Sequence, residues 1–267
     1  MQDIKRLFFG LSIEAPWPSE FPPGRLLEEP YRHLTLAFLG EIELSKILKI
    51  LPSIPSFPQK IGFAGRFNQL LFLPPRHPHA VAWQIEWLLE GGQLDQYQQA
   101  LTEWLKNSGV PLSEKNSFLP HVTICRSPFD IKPWKKNFSP LPLFTTSLHL
   151  YESLGSSHYQ SLWSHALIPP FEEIEHAADI AFQVIGESFQ QLYLHASLAI
   201  AFNFPPFLDF IGPPQVISNL DRCVMALNET LSRLDVEMGS PFKAISFHGD
   251  AEITENGLMK WEMIVDV

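Results

Sequence analysis

The sequence predicts an α+β fold in two units: a larger, pseudo-symmetric, two-lobed N-terminal unit and a smaller C-terminal α+β unit. Three observations carry this. Segments with the strand period of two alternate with segments at the helical period of 3.6. A His-x-Thr phrase set in apolar residues occurs twice, as His33-Leu34-Thr35-Leu36-Ala37-Phe38-Leu39-Gly40 and as Pro120-His121-Val122-Thr123-Ile124-Cys125-Arg126. Beyond Leu167-Ile168-Pro169-Pro170 the strand and helix pattern starts afresh, which divides the chain into residues 1–168 and 171–267.

Taken in order, residues 7–13 alternate as a first strand, and a Pro-rich loop over 15–24 leads to the His33 strand, ending at Gly40. Leu44, Ile47, Leu48 and Leu51 fall at i, i+3, i+4, i+7, so residues 41–51 read as a short amphipathic helix stopped by Pro52. Residues 61–73 and 79–85 read as strands around Pro74-Pro75 and Pro78. A helix over 94–107 gathers Leu94, Tyr97, Leu101, Trp104 and Leu105 on one face, with Gly109 as its stop. The His121 strand follows, then a strand over 145–151 and the segment 158–163.

In the second unit, residues 180–185 read as a strand closed by Gly186, and Ser188-Phe189-Gln190-Gln191 has the form of a capping box. The helix it starts carries Phe189, Leu192, Tyr193, Ala196 and Ile200. A loop rich in Pro and Phe spans 204–214, and a second helix spans 219–233. Residues 242–247 and 261–267 read as strands, with Asn256-Gly257 as a hairpin signal between alternating runs.

Composition narrows the function classes. The chain has 267 residues, 45% hydrophobic and 18% charged, which marks a globular protein. No apolar run approaches the roughly 18 residues of a membrane span. Residues 7–13 are too short for a signal peptide and lack a small-residue cleavage site, so a cytoplasmic location is expected. Cys125 and Cys223 suit a reducing compartment better than a disulfide framework, and they argue against structural zinc. A net charge of −10 argues against broad nucleic-acid coating, though not against an RNA end held in a local basic groove.

On a strand, residues i and i+2 share a face. His33 and Thr35 therefore share one face and Leu34, Leu36 and Phe38 the other; His121 and Thr123 repeat the arrangement against Val122 and Ile124. One such phrase is weak evidence, since most strand histidines belong to a satisfied surface or core. Two, in matching frames, can place both imidazoles in one groove. Two imidazoles suit a reaction that removes one proton and delivers another near neutral pH, such as phosphodiester cleavage. Thr35 and Thr123 can donate to non-bridging phosphoryl oxygens, where charge builds in the transition state. Arg126 can add a bidentate contact, although a regular strand would point it away from His121. His77, His79, His149, His158, His165 and His195 lack this frame and are read as surface or structural.

With Arg6-Leu7-Phe8-Phe9-Gly10-Leu11, Phe118-Leu119 before the second phrase, Leu150-Tyr151-Glu152-Ser153 and Tyr159, residues 4–168 resemble the 2H phosphoesterases. Within these they resemble the RNA 2′,3′-cyclic phosphodiesterases, also called 2′-5′ RNA ligase-like proteins. The resemblance implies metal-free hydrolysis of a terminal 2′,3′-cyclic phosphate to a 2′-phosphate, with His33 as proton donor to the 3′ oxygen and His121 as base. The residues alone do not say which is which.

Glu175-His176-Ala177-Ala178-Asp179-Ile180, Phe242-Lys243-Ala244-Ile245 and the terminal Ile264-Val265-Asp266-Val267 resemble archease, with Ala177 where that family has threonine. Archeases assist a tRNA-splicing RNA ligase and bind a divalent metal. By position Asp179, Asp266 and Val267 would be the ligands, an oxygen set suited to calcium, magnesium or manganese. The expectation is an enzyme acting on RNA 2′,3′-cyclic phosphate ends, fused to a shortened archease-like module. The alternatives are a non-catalytic accessory of an RNA-splicing ligase, or a phosphodiesterase for small cyclic nucleotides.

Overall fold

The computed structural model describes residues 3–89, 92–112, 118–212 and 216–267. Of the segments read above, Met1-Gln2 and Pro213-Pro214 lie outside the described residues. The N-terminal unit is built on an eight-stranded sheet. Its strands are β1 (Ile4–Glu14), β2 (Gly24–Leu26), β3 (His33–Glu43), β4 (Ala64–Leu73), β5 (Ala80–Trp87), β6 (His121–Phe129), β7 (Leu141–Gly155) and β8 (His158–Ala166). The order β1-β3-β6-β5-β4-β7-β8 closes on itself because β1 also pairs with β7, while β2 adds to β6. All these pairings are antiparallel.

The apolar frame of each strand builds the core. Leu7, Phe9, Leu11 and Ile13 of β1 join Leu34, Leu36, Val122 and Ile124 in one buried cluster. Helix α1 (Leu44–Ile50) follows β3 and α2 (Gln93–Asn107) packs on it. Leu94, Tyr97, Leu101 and Leu105 of α2 are buried, and Gln98 donates from Nε2 to the Leu36 carbonyl at 3.1 Å. Beyond α2, Gly109 has φ +77, a left-handed stop for which glycine carries no Cβ penalty.

Three expectations are corrected here. Residues 41–43 extend β3 instead of opening a helix, because they pair with Ile4, Lys5 and Arg6 and so satisfy their backbone in the ladder. The loop over 15–24 runs at its end into a strand that the sequence pattern does not show, β2, whose Leu26 lies opposite Cys125. Gly24 admits this approach: a Cβ there would sit 2.3 Å from the Cys125 Sγ. Helix α3 (Ile131–Asn137) stands where the sequence pattern shows no element; Asp130 caps it, accepting from the Lys132 backbone N–H at 3.1 Å, and Trp134 anchors it in the core.

The second unit comprises β9 (Phe171–Ile174), β10 (Ile180–Gly186), α4 (Phe189–Asn203), α5 (Leu220–Met238), β11 (Ala244–Ile253) and β12 (Met259–Asp266). Its sheet runs β11-β12-β10-β9, antiparallel throughout. The capping box forms with one change: Ser188 Oγ accepts from the Gln191 N–H, while Gln191 Oε1 takes the N–H of Glu187. Helix α4 is buried all round rather than on one stripe, as befits a helix enclosed on every side. It packs on β9, β10 and β12 and on β4 and β7 of the larger sheet, so that Ala64 and Phe144 belong to the second core. Among the described residues no helix is long and apolar enough to cross a membrane.

Candidate active site

β3 and β6 are neighbours, and Leu34 lies opposite Val122. Both are fully buried, and residues directly opposite across an antiparallel pair share a face. Carried one residue either way, this register sets His33 against Thr123 and Thr35 against His121, all on the face away from the core. The imidazoles are thus diagonal neighbours, whose backbones ordinary sheet geometry spaces roughly 7–8 Å apart. Each is half-buried, as are both threonines.

The two histidines are anchored identically. His33 Nδ1 lies 2.8 Å from the carbonyl of Tyr31, and His121 Nδ1 lies 2.7 Å from that of Leu119. A carbonyl only accepts, so each neutral ring carries its proton on Nδ1 and keeps the Nε2 lone pair for the groove. Burial holds His33 neutral, at about 4; the Tyr31 bond opposes this, and the Arg126 charge, His121 and His149 add to it. Burial also lowers His121, opposed by the Leu119 bond and assisted by Arg126.

Arg126 lines the same cavity as His33, and the physical reason is an irregularity in β6. Val81 pairs with Cys125 and Ala82 with Thr123, so Ile124 is the extra residue of a bulge. Ile124 and Cys125 both point inward at 0% exposure, and Arg126 returns to the face of His121 and Thr123. β3 does the same thing. Thr35 pairs with Gly10 and Ala37 with Phe9, leaving Leu36 extra; Leu36 and Ala37 are both buried and Phe38 turns outward. The expectation that Phe38 shares the face of Leu34 and Leu36 is thereby corrected. Phe38 and Arg126 occupy equivalent places in the repeat.

Two hollows meet at Thr35 and Phe38, which line both. On the His33 side a cavity of about 410 Å³ is lined by Arg6, Arg25, His33, His79, Arg126 and Tyr159, among others. On the His121 side a groove of about 1100 Å³ runs along α2, past Gln98, Thr102 and Phe118. Rings back His33 closely: Phe8 at 4.7 Å, Tyr159 at 4.8 Å and Tyr151 at 5.5 Å between centroids. His149 sits beside Gly10, its Nδ1 2.8 Å from Ser161 Oγ and its Nε2 3.3 Å from Ser12 Oγ. His79 and His149, read from sequence as surface or structural, thus belong to the surroundings of the site. No sequence pattern marks them, because the strands that bring them here are distant in the chain. His195 is a core residue, its Nδ1 2.5 Å from the Ile185 carbonyl.

In the second unit Ile180 pairs with Val265, which brings Asp179 and Asp266 to adjacent strand ends. Asp179 Oδ2 lies 3.8 Å from His176 Nδ1, and Asp266 Oδ1 lies 3.8 Å from Lys243 Nζ. The same ammonium donates to the backbone oxygen of Val267. This ammonium serves Asp266 and Val267 but not Asp179, and no described group of three or more His, Cys, Asp or Glu side chains could hold a metal.

No protein-family model matches the chain, and no curated protein does. Among solved structures it is similar to E. coli LigT complexed with 3′-AMP, at 24% identity over 62% of this chain and 99% of that one, with a TM-score of 0.47. It is also similar to a protein described as a phosphoesterase (24% identity, 62% and 99% covered, TM-score 0.43). A third is TT0787 of Thermus thermophilus (19% identity, 61% and 97% covered, TM-score 0.43).

Proposed function

We propose that the chain hydrolyses RNA 2′,3′-cyclic phosphate ends to 2′-phosphates. The observation that carries this is the square formed by His33, Thr35, His121 and Thr123, with both Nε2 lone pairs free for the groove. One imidazole takes a proton from water as its oxygen bonds to phosphorus. The other delivers a proton to the 3′ oxygen as the P–O3′ bond breaks. The product is a 2′-phosphate beside a free 3′-hydroxyl, and solvent then returns both rings to their starting states. Thr35, Thr123 and Arg126 hold the non-bridging oxygens as their charge grows.

The resemblance gives His33 the acid role and His121 the base role. Burial and Arg126 keep both rings neutral in the free protein, so the acid gains its proton once the substrate phosphate offsets the Arg126 charge. Incubation with an RNA bearing a cyclic terminus, with and without a chelator, tests this: a 2′-phosphate product is expected in both. Turnover that survives His33→Ala or His121→Ala would sink the proposal. The second unit, on its resemblance to archease, is proposed as an accessory module for an RNA ligase that consumes the same ends. That predicts faster ligation by such a ligase when the full chain carrying His33→Ala is added.

A further inference from the structure

The cavity beside His33 holds more cationic charge than one phosphate requires. Arg6, Arg25 and Arg126 all line it, together with His33 and His79, in a chain whose net charge is −10. Among the described residues none of the three arginines has an ion-pair partner. Glu41 is the cross-strand neighbour of Arg6, yet the guanidinium lies over the Phe38 ring instead, 5.1 Å from its centroid. Arg25 lies directly opposite Arg126. Like charges in that position repel unless an anion lies between them.

The far wall shows a second, independent feature. β7 and β8 are joined through Ser156 and Ser157, which have φ +49 and +66. Both central residues of a two-residue hairpin are thus left-handed, a geometry that favours Asn-Gly over two serines. Non-glycine residues held there cost stability, and such strain gathers at functional sites. Both serines line the cavity with Ser127 and Ser153, and none of the four hydroxyls has a hydrogen-bond partner among the described residues. The wall thus offers free donors to an anion.

We propose that Arg6, Arg25 and the Ser156-Ser157 turn form a second phosphate subsite, which takes a 5′-phosphoryl group on the nucleotide that carries the cyclic phosphate. This rests on the reading of the scissile group as a 2′,3′-cyclic phosphate held by His33, His121 and Arg126. On a nucleoside 2′,3′-cyclic phosphate the remaining phosphate position is the 5′ oxygen; one cavity holds His33 and Arg126 together with Arg6, Arg25 and the two serines, and the groove that holds His121 meets it at Thr35 and Phe38. The group can be an internucleotide diester, as in an RNA chain, or a terminal monoester. Guanidinium forks suit either.

The test compares kcat/KM for three substrates: a nucleoside 2′,3′-cyclic phosphate, its 5′-phosphorylated form, and a dinucleotide ending in the cyclic phosphate. In the wild type the added phosphate raises kcat/KM roughly ten- to a hundredfold, the range of hydrogen bonds to charged groups. The ratio falls towards one in Arg25→Gln and in Arg6→Gln. Both arginines are exposed, and unchanged thermal unfolding midpoints would show that the fold is intact. A gain for the dinucleotide alone selects the diester as the natural group; a gain for both admits the monoester. A wild-type ratio near one, or a ratio that survives both substitutions, overturns the subsite. Calorimetry with a nucleoside 3′,5′-bisphosphate against the 3′-monophosphate reads the subsite without turnover. A bisphosphate preference lost in Arg25→Gln, in a protein that hydrolyses no cyclic phosphate, would uphold the subsite and overturn the hydrolytic reading.

Discussion

The strands β3 and β6 carry the same device and part company at one position. In both, an imidazole is tied through Nδ1 to the carbonyl two residues earlier, and a threonine follows on the same face. In both, two consecutive buried residues then rotate the sixth residue of the phrase back to the groove. That residue is Phe38 in one copy and Arg126 in the other. His33 is enclosed by Phe8, Tyr151 and Tyr159, whereas His121 opens on the groove along α2. The repeat thus supplies two matched imidazoles with free Nε2 atoms, and the departures from it supply charge on one side and an apolar ring on the other.

Removal of one imidazole at a time should have the largest effect. His33→Ala and His121→Ala should each lower kcat/KM by about 10²–10⁴, the usual range for a general acid or base. The double variant should be little worse than either, because groups that act as a unit are non-additive. If one single variant kept its activity, the copies would not be a functional pair. Next, Arg126→Gln should cost about 10²-fold, as for a lost transition-state donor. It should also move the pH profile. Burial and Arg126 hold both rings below the ordinary histidine value, so the form with one protonated ring gains population as pH falls below neutrality. Removing the cation raises both pKa values, and the maximum of kcat/KM should shift to higher pH. Phe38→Ala, its counterpart, should leave the pH profile alone and raise KM for an RNA substrate about tenfold, the scale of one lost base-stacking contact.

The pairing of His33 with His121 is legible in the sequence because a period-two pattern determines which face a residue takes, and the same frame occurs twice. The bulges are not. A single extra residue leaves the alternation intact on either side of it, so alternation alone puts Phe38 on the wrong face and turns Arg126 away from the groove. Arg6, Arg25 and His79 carry no pattern of their own; β1, β2 and the start of β5 bring them together only through strand pairing between distant segments. The same limit hides β2, three residues long and held by its ladder with β6. The all-round burial of α4 follows from a contact invisible in its own sequence, the packing against β4 and β7 of the first unit.

The smallest effect sharpens the difference between the copies most directly. Gly10 of β1 lies beneath His33, and a Cβ there would stand 3.0 Å from the Leu34 carbonyl oxygen and 3.4 Å from His33 Cδ2. The tight contact is with the carbonyl, while the ring stands at ordinary van der Waals distance, so the Leu34 peptide must shift by a few tenths of an ångström and carry its neighbour His33 with it. Gly10→Ala should therefore tilt His33 by a few tenths of an ångström while the Tyr31 anchor holds its Nδ1. Because catalysis is steep in position, kcat should fall several-fold with KM nearly unchanged. No glycine bears on His121 in this way among the described residues. The carbon chemical shifts of the two rings give the separate readout: those of His33 should move and those of His121 should not. Equal movement of both would mean that the groove responds as one body and that the two copies are less independent than their surroundings imply.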